Sequence, residues 1–103
     1  MSLIEKSVTV TWDGAELTAP DLYVADVGSG DDVRVTWYPD NVTLAFITGL
    51  PPIVRVTGPT PEGTLVGRYR SPSSPVTWDY TIHGSADGAL VKHDPKIHNT
   101  TPT

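Results

Sequence analysis

Three histidines are the first candidates for chemistry in this chain of 103 residues, because imidazole binds metals and exchanges protons near neutral pH. His83 and His93 would face each other across a turn at residues 84–88, and His98 would approach them if the chain end folds back. Carboxylates that would complete a metal site with them are those of Asp79, Asp87 and Asp94. We favour the alternative, in which the histidines lie on exposed hairpin ends, and predict neither a metal nor another cofactor.

No nucleophile or acid–base pair stands out in the sequence. The absence of cysteine excludes a thiolate nucleophile, a thiolate metal site and a disulfide framework. Asp31 and Asp32 are adjacent, and adjacent strand residues point to opposite faces, so their carboxylates are poorly placed to act together. The serines within residues 71–74 lack the Gly-x-Ser-x-Gly turn that activates a serine. We therefore predict that the protein is not an enzyme and has no catalytic residues.

Arginine and tyrosine provide the best candidate for a binding surface, because both residue types are enriched at interfaces. Arg68 and Arg70 flank Tyr69 on one predicted strand, and Arg55 falls on the strand expected beside it. The predicted ligand or partner surface consists of Arg34, Tyr38, Arg55, Arg68, Tyr69 and Arg70. The alternative is that these arginines only pair with acidic residues across exposed strands.

Two alternative functions are considered, one based on the tryptophans and one on the histidines. Trp12, Trp37 and Trp78 share their alternation with apolar neighbours, which predicts that they belong to the core. If they were exposed, Trp and Tyr side chains would make a small-ligand or carbohydrate-binding module. The other open alternative is a metal-binding protein that uses the three histidines.

Charge and hydropathy limit the partners. Seven Lys and Arg against twelve Asp and Glu give a net charge of −5, which repels a phosphate backbone, so we predict no nucleic-acid partner. No segment approaches the roughly 18 consecutive apolar residues of a membrane helix, so no membrane partner is expected. The first residues lack the apolar core of a signal peptide, which predicts a cytoplasmic protein.

The elements that must position these side chains are strands. Apolar residues alternate with polar ones along most of the chain, and Pro and Gly clusters separate the alternating stretches. Seven or eight short strands at this spacing predict a single all-β domain, an immunoglobulin-like antiparallel β-sandwich spanning residues 1–103. Residues 33–46 are predicted to form one hairpin. The predicted core comprises Val10, Trp12, Val33, Val35, Trp37, Leu44, Phe46, Val54, Val56, Trp78, Tyr80 and Ile82.

The C-terminal third resembles a known family. Trp78, Tyr80 and Ile82 alternate along one strand, Asp87-Gly88 follows, and an Asp-Pro-Lys-Ile stretch begins at Asp94. This order resembles the last hairpin of the DP-EP family of small bacterial domains. The resemblance implies an immunoglobulin-like fold and carries no catalytic residues with it.

The first strand is predicted to be the least protected against pairing with another chain. Residues 7–12 contain neither proline nor charge, and an unguarded strand at a sheet edge promotes association. We expect a protein partner or self-association, for instance as a homodimer, through this strand or its neighbour, unless residues 97–103 cover it. The protein would then be a binding, structural or protein-interaction module.

Overall fold

The computed structural model describes residues 3–25 and 27–100. These residues form eleven strands joined by loops and turns, and no helix. The strands are β1 Leu3–Trp12, β2 Leu17–Thr18, β3 Leu22–Val24, β4 Asp32–Asp40, β5 Thr43–Thr48, β6 Arg55–Thr57, β7 Leu65–Arg70, β8 Val76–Asp79, β9 Thr81–Ala86, β10 Ala89–His93 and β11 Lys96–Asn99. The predicted all-β class is therefore confirmed. None of these residues forms a helix that is long and apolar enough to cross a membrane.

The first layer is a five-stranded sheet in the order β2-β1-β4-β7-β6. β1 runs parallel to β4, with Leu3 opposite Asp32 and Thr11 opposite Asp40. β7 is antiparallel to both β4 and β6, and β2 is a two-residue strand against the end of β1. The sequence predicts an antiparallel arrangement, and the parallel pairing of β1 with β4 departs from it.

The second layer is built on one long hairpin spanning residues 76–99. Ala86 lies opposite Ala89 next to the turn, and Val76 lies opposite Asn99 at the far end, so one register runs through both halves. The ladder is interrupted once, at Pro95, which has no N–H to donate. This interruption divides the two long strands into β8, β9, β10 and β11, which partly explains why the observed strands outnumber the predicted seven or eight.

Two shorter strands widen this hairpin on opposite sides. β5 pairs with β9 in one half, and β3 runs parallel to β11 in the other. The hairpin turn is shorter than the predicted turn at residues 84–88, because residues 84–86 belong to β9. It consists of Asp87 and Gly88, whose φ angles are 51° and 77°. Positive φ at both central residues is what a type I′ hairpin turn requires, and Asp-Gly is one of the sequences that favour it.

The core lies between the two layers and forms a single cluster of buried apolar side chains. The indole of Trp37, on β4, meets the ring of Tyr80 edge to face with their centroids 5.8 Å apart. The predicted core residues that are buried are Val10, Val33, Val35, Trp37, Leu44, Val54, Tyr80 and Ile82. Trp12, Val56 and Trp78 are half-buried against this cluster.

Two predictions about β4 and β5 are wrong. The strands do not form a hairpin, because the chain crosses at residues 40–42 from the first layer to the second, where β5 pairs with β9. Phe46 is not in the core but is 52% exposed. A β-bulge between Leu44 and Phe46 adds one residue to the strand, so the alternation changes face after Leu44.

Candidate functional site

Three arginines lie in line across the first layer. Arg34 on β4 is directly opposite Arg68 on β7, and Arg68 is directly opposite Arg55 on β6. Directly opposed residues of antiparallel strands share a face and have Cβ atoms about 4.5–5.5 Å apart. Arg34, Arg68 and Arg55, which we call the arginine row, therefore bring three positive charges together on one face.

The arginine row faces outward because its neighbours along each strand face the core. Val33 and Val35 are buried on either side of Arg34, and Gly67 and Tyr69 are buried on either side of Arg68. The one remaining arginine of the chain is two residues further along β7, so it lies on the same outer face. All the arginines of an acidic protein are thus concentrated on one side of one sheet.

Acidic residues neutralise only part of this surface. Arg34 forms an ion pair with Glu5, which lies opposite it on β1, and Arg70 lies 3.8 Å from Asp32. Within residues 3–25 and 27–100, Arg55 and Arg68 make no ion pair. Like charges directly opposite each other destabilise a sheet, so the fold itself gives no reason for this pairing of Arg55 with Arg68.

A groove lies next to these arginines. It has a volume of about 440 Å³ and is lined by Leu3, Asp32, Arg68 and Arg70, among others. Leu3 is 54% exposed, so the groove offers an apolar side chain beside the guanidinium groups. A ligand with both acidic and apolar side chains would fit this combination.

The two tyrosines predicted for the surface have different positions. Tyr38 is exposed on β4, on the same face as Arg34. The prediction for Tyr69 is wrong, because its side chain is buried and its hydroxyl donates to Asn99 Oδ1 at 2.6 Å. Burial raises the pKa of the Tyr69 phenol well above its usual value. The alternation along β7 already indicates this orientation, since a residue between Arg68 and Arg70 must point to the opposite face of the sheet.

Acidic pairing across strands is the stated alternative for these arginines, but the sequence does not identify which acidic residues take part. Glu5 reaches Arg34 only because β1 and β4 are parallel neighbours, although nearly thirty residues separate them in sequence. In the sequence Asp32 stands beside Asp31, whereas the structure places its carboxylate beside Arg70. No local pattern in the sequence identifies either contact, because both depend on which strands become neighbours.

The structure does not bring His83 and His93 together. Lys92, not His93, lies opposite His83 in the hairpin, and His93 is opposite Ile82 on the other face. The His83 ring stacks on Phe46 with centroids 4.5 Å apart, whereas His93 Nε2 is 3.2 Å from a backbone carbonyl oxygen. The two-residue turn causes this separation, because it pairs Ala86 with Ala89 and therefore places Lys92, not His93, opposite His83.

His98 lies in the other half of the hairpin, on β11. Its ring stacks on Tyr23 with centroids 4.5 Å apart, and Nε2 is 3.4 Å from Asp21 Oδ2. Across the described ranges, no three His, Asp or Glu side chains come close enough to hold a metal ion together.

All three tryptophans pack against or hydrogen-bond to other residues of the protein. Trp37 is completely buried, and Trp78 packs edge to face on Tyr69 with centroids 5.0 Å apart. Trp12 Nε1 donates to Asp87 Oδ2 at 3.0 Å, which ties the end of β1 to the hairpin turn. These contacts give the three indoles structural roles, so the arginine row remains the better candidate for binding.

Comparison with protein-family models found no match to this chain, and comparison with curated proteins found no relative. Membership of the DP-EP family and the immunoglobulin-like assignment therefore remain predictions.

Proposed function

We propose that this protein is a non-enzymatic binding module that docks an acidic segment of a partner protein on the arginine row. The observation that carries the proposal is the direct opposition of Arg55 and Arg68 without an acidic partner in the described residues. Two exposed like charges held side by side are unfavourable in the free protein, and carboxylates of a partner would relieve this repulsion.

The chemistry of guanidinium favours carboxylates. Its planar N–H groups form paired, charge-assisted hydrogen bonds with a carboxylate, and these are stronger than bonds between neutral groups. An apolar side chain of the same segment would lie against Leu3 in the neighbouring groove. The proposed partner is therefore a short segment of several Asp or Glu residues with at least one apolar residue.

The charge of the protein limits the length of this partner. With a net charge of −5, the surface outside the arginine row repels a long polyanion. A short acidic segment places its few charges on the row alone, whereas a nucleic acid extends a continuous line of phosphates beyond it. The same reasoning supports a protein partner over nucleic acid.

Titration calorimetry at low ionic strength tests the proposal with an eight-residue peptide of glutamates around one leucine. The matched variants are Arg68→Gln and Lys92→Gln, since each removes one positive charge from an exposed strand position. Loss of a hydrogen bond to a charged group costs about 1.5–3 kcal/mol, so we expect Arg68→Gln to weaken binding at least about tenfold. Lys92→Gln, in the other layer, should leave the affinity unchanged.

Three results would contradict the proposal. The first is no binding of the glutamate peptide at low salt, and the second is equal weakening by Arg68→Gln and Lys92→Gln. The third is tighter binding of a single-stranded oligonucleotide of the same charge, which would identify phosphate as the ligand. A peptide with glutamine in place of glutamate serves as the negative control, since it cannot neutralise the arginines.

A further inference from the structure

Within residues 3–25 and 27–100, one side of β1 pairs with another strand only at the end of β1. Its other side pairs with β4 from Leu3 to Thr11, whereas β2 pairs only with Thr11 and Trp12. Within the described residues, no strand pairs with residues 3–10 on that free side. This edge leaves a series of backbone N–H and C=O groups without strand partners.

The chain end does not cover this edge as far as the structure describes it. Residues 97–99 belong to β11, which pairs with β3 and β8 in the second layer. The N–H of Thr100 donates to the carbonyl oxygen of Val24 at 3.0 Å. Residues 101–103, the rest of the segment that would cover the edge in the alternative, lie outside the described residues.

Two of the other edge strands, β5 and β6, carry features that discourage pairing. β5 has a bulge between Leu44 and Phe46, and β6 is three residues long with prolines before and after it. The free side of β1 is longer than either and has no proline and no bulge. Its charges are Glu5 and Lys6, so residues 7–10 have neither of the usual protections.

We propose that β1 pairs with β1 of a second copy of this chain, antiparallel and about a twofold axis at Ser7. The two five-stranded sheets would then form one continuous sheet across the dimer. A twofold axis perpendicular to the sheet keeps the core sides of both copies on the same side, so the apolar residues of β1 remain directed towards the core.

The alternation of β1 restricts the position of this axis. Directly opposed residues must share a face, and Val8 and Val10 face the core, so the axis must pass through a residue rather than between two. An axis at Glu5 or Lys6 would place identical charges opposite each other, which is unfavourable.

An axis at Ser7 avoids these clashes and uses the full edge. It places Glu5 opposite Thr9 of the second copy and Lys6 opposite Val8, so no charge meets its equal. Residues 4–10 all find partners in this register. An axis at Val8 would extend the pairing to Thr11, which already pairs with β2.

The dimer would also double the binding surface. Both arginine rows would lie on the same face of the continuous sheet, with the β7 strands five strand spacings, roughly 24 Å, apart. This consequence rests on the proposed function, whereas the dimer itself does not, because its assembly is measured without any ligand.

A single introduced cysteine tests the register directly, since the chain contains no cysteine. At a twofold axis, the Cα atoms of residue 7 in the two copies would be about 4.5–5.5 Å apart, which suits a disulfide. Ser7→Cys should therefore form a covalent dimer rapidly under mild oxidation. Thr57→Cys, exposed on β6 at the opposite edge of the same sheet, is the matched control and should form no covalent dimer, since the proposed pairing does not bring the two copies of residue 57 together.

Sedimentation velocity of charge variants tests the same register without a covalent bond. Thr9→Glu places the new glutamate opposite Glu5 of the second copy, and the twofold axis produces this like-charge pair twice. The variant should therefore weaken dimerisation by about tenfold. Thr9→Lys places a lysine opposite Glu5 instead, and the dimer should persist. Both variants should keep the thermal midpoint of the monomer, since Thr9 is exposed.

The proposal fails if the unmodified protein sediments as a monomer throughout the micromolar range. It fails equally if Ser7→Cys and Thr57→Cys form covalent dimers at the same rate. Equal weakening by Thr9→Glu and Thr9→Lys would overturn the axis at Ser7.

Discussion

The indole N–H of Trp37 donates a hydrogen bond to the hydroxyl of Tyr80 at 3.1 Å, and both side chains are enclosed in the core. Trp37 belongs to the first layer, whereas Tyr80 lies at the interruption of the long hairpin in the second. The N–H of Tyr80 donates in turn to the carbonyl oxygen of Pro95 at 3.2 Å. This chain of contacts fixes the hairpin against the five-stranded sheet at the place where its own ladder is broken.

Replacing Tyr80 by phenylalanine should destabilise the protein although it keeps the ring. The Trp37 N–H would remain buried without its acceptor, and an unsatisfied buried polar group costs about 1–3 kcal/mol. Urea denaturation followed by tryptophan fluorescence measures this loss. Tyr38→Phe, at an exposed position, is the control and should change the free energy of unfolding by less than about 0.5 kcal/mol. Equal stability of Tyr80→Phe and the unmodified protein would contradict the role of this bond.

Stability should fall as the pH rises above about 10. Burial raises the pKa of Tyr80 from 10.0 to about 12, and burial also raises the pKa of Tyr69. Between pH 10 and 12 the unfolded chain releases the Tyr80 proton while the folded chain retains it, so the unfolded state gains stability. Denaturation curves at several pH values in this range measure the slope, which should be smaller in Tyr80→Phe. An identical slope in that variant would show that Tyr80 does not contribute.

Gly67 allows the close approach of β7 to the largest core side chain. A Cβ at this position would lie 2.9 Å from Cζ3 of Trp37, which is completely buried and has little room to move. Gly67→Ala should therefore cost about 1–3 kcal/mol in the free energy of unfolding. The double variant with Trp37→Phe should show a smaller cost for the same glycine change, since the smaller ring leaves space for the methyl group. Strictly additive effects would exclude the steric explanation.

Arg68→Thr should increase stability, whereas it should weaken binding to the arginine row as Arg68→Gln does. The substitution removes the like charge that lies between Arg34 and Arg55 and puts a residue with high strand propensity in its place. Relief of such cross-strand repulsion is worth about 0.2–1 kcal/mol, and the gain should shrink at high salt because the charges are exposed. Thermal unfolding at two salt concentrations tests this expectation, and a lower midpoint at low salt would contradict it.

The alternation of residue types predicted the inner faces of single strands well. Val33, Val35 and Trp37 are buried as expected, because a strand against a core must bury every second side chain. The same rule failed at Phe46, where a bulge shifts the alternation by one residue. The residue types of β5 do not predict the bulge, because it arises from the pairing of β5 with β9.

The candidate site was only partly predictable. The sequence indicated the arginines, and the alternation on β7 already separated Tyr69 from Arg68. The alignment of Arg34, Arg68 and Arg55 depends on the registers of β4, β7 and β6, which are fixed by packing between distant segments. Which arginines have carboxylates beside them depends on the same long-range pairing.

The sequence by itself determined the all-β class, the inward face of most strands and the presence of a turn within residues 84–88, because these depend on alternation and on local backbone preferences. Only the tertiary structure decided that β1 lies parallel to β4, that β4 and β5 separate into different layers, and that two arginines oppose each other without an acid. Strand order and register are chosen by contacts between residues far apart in sequence, where many pairings satisfy the same local pattern. The packing of one core selects among them.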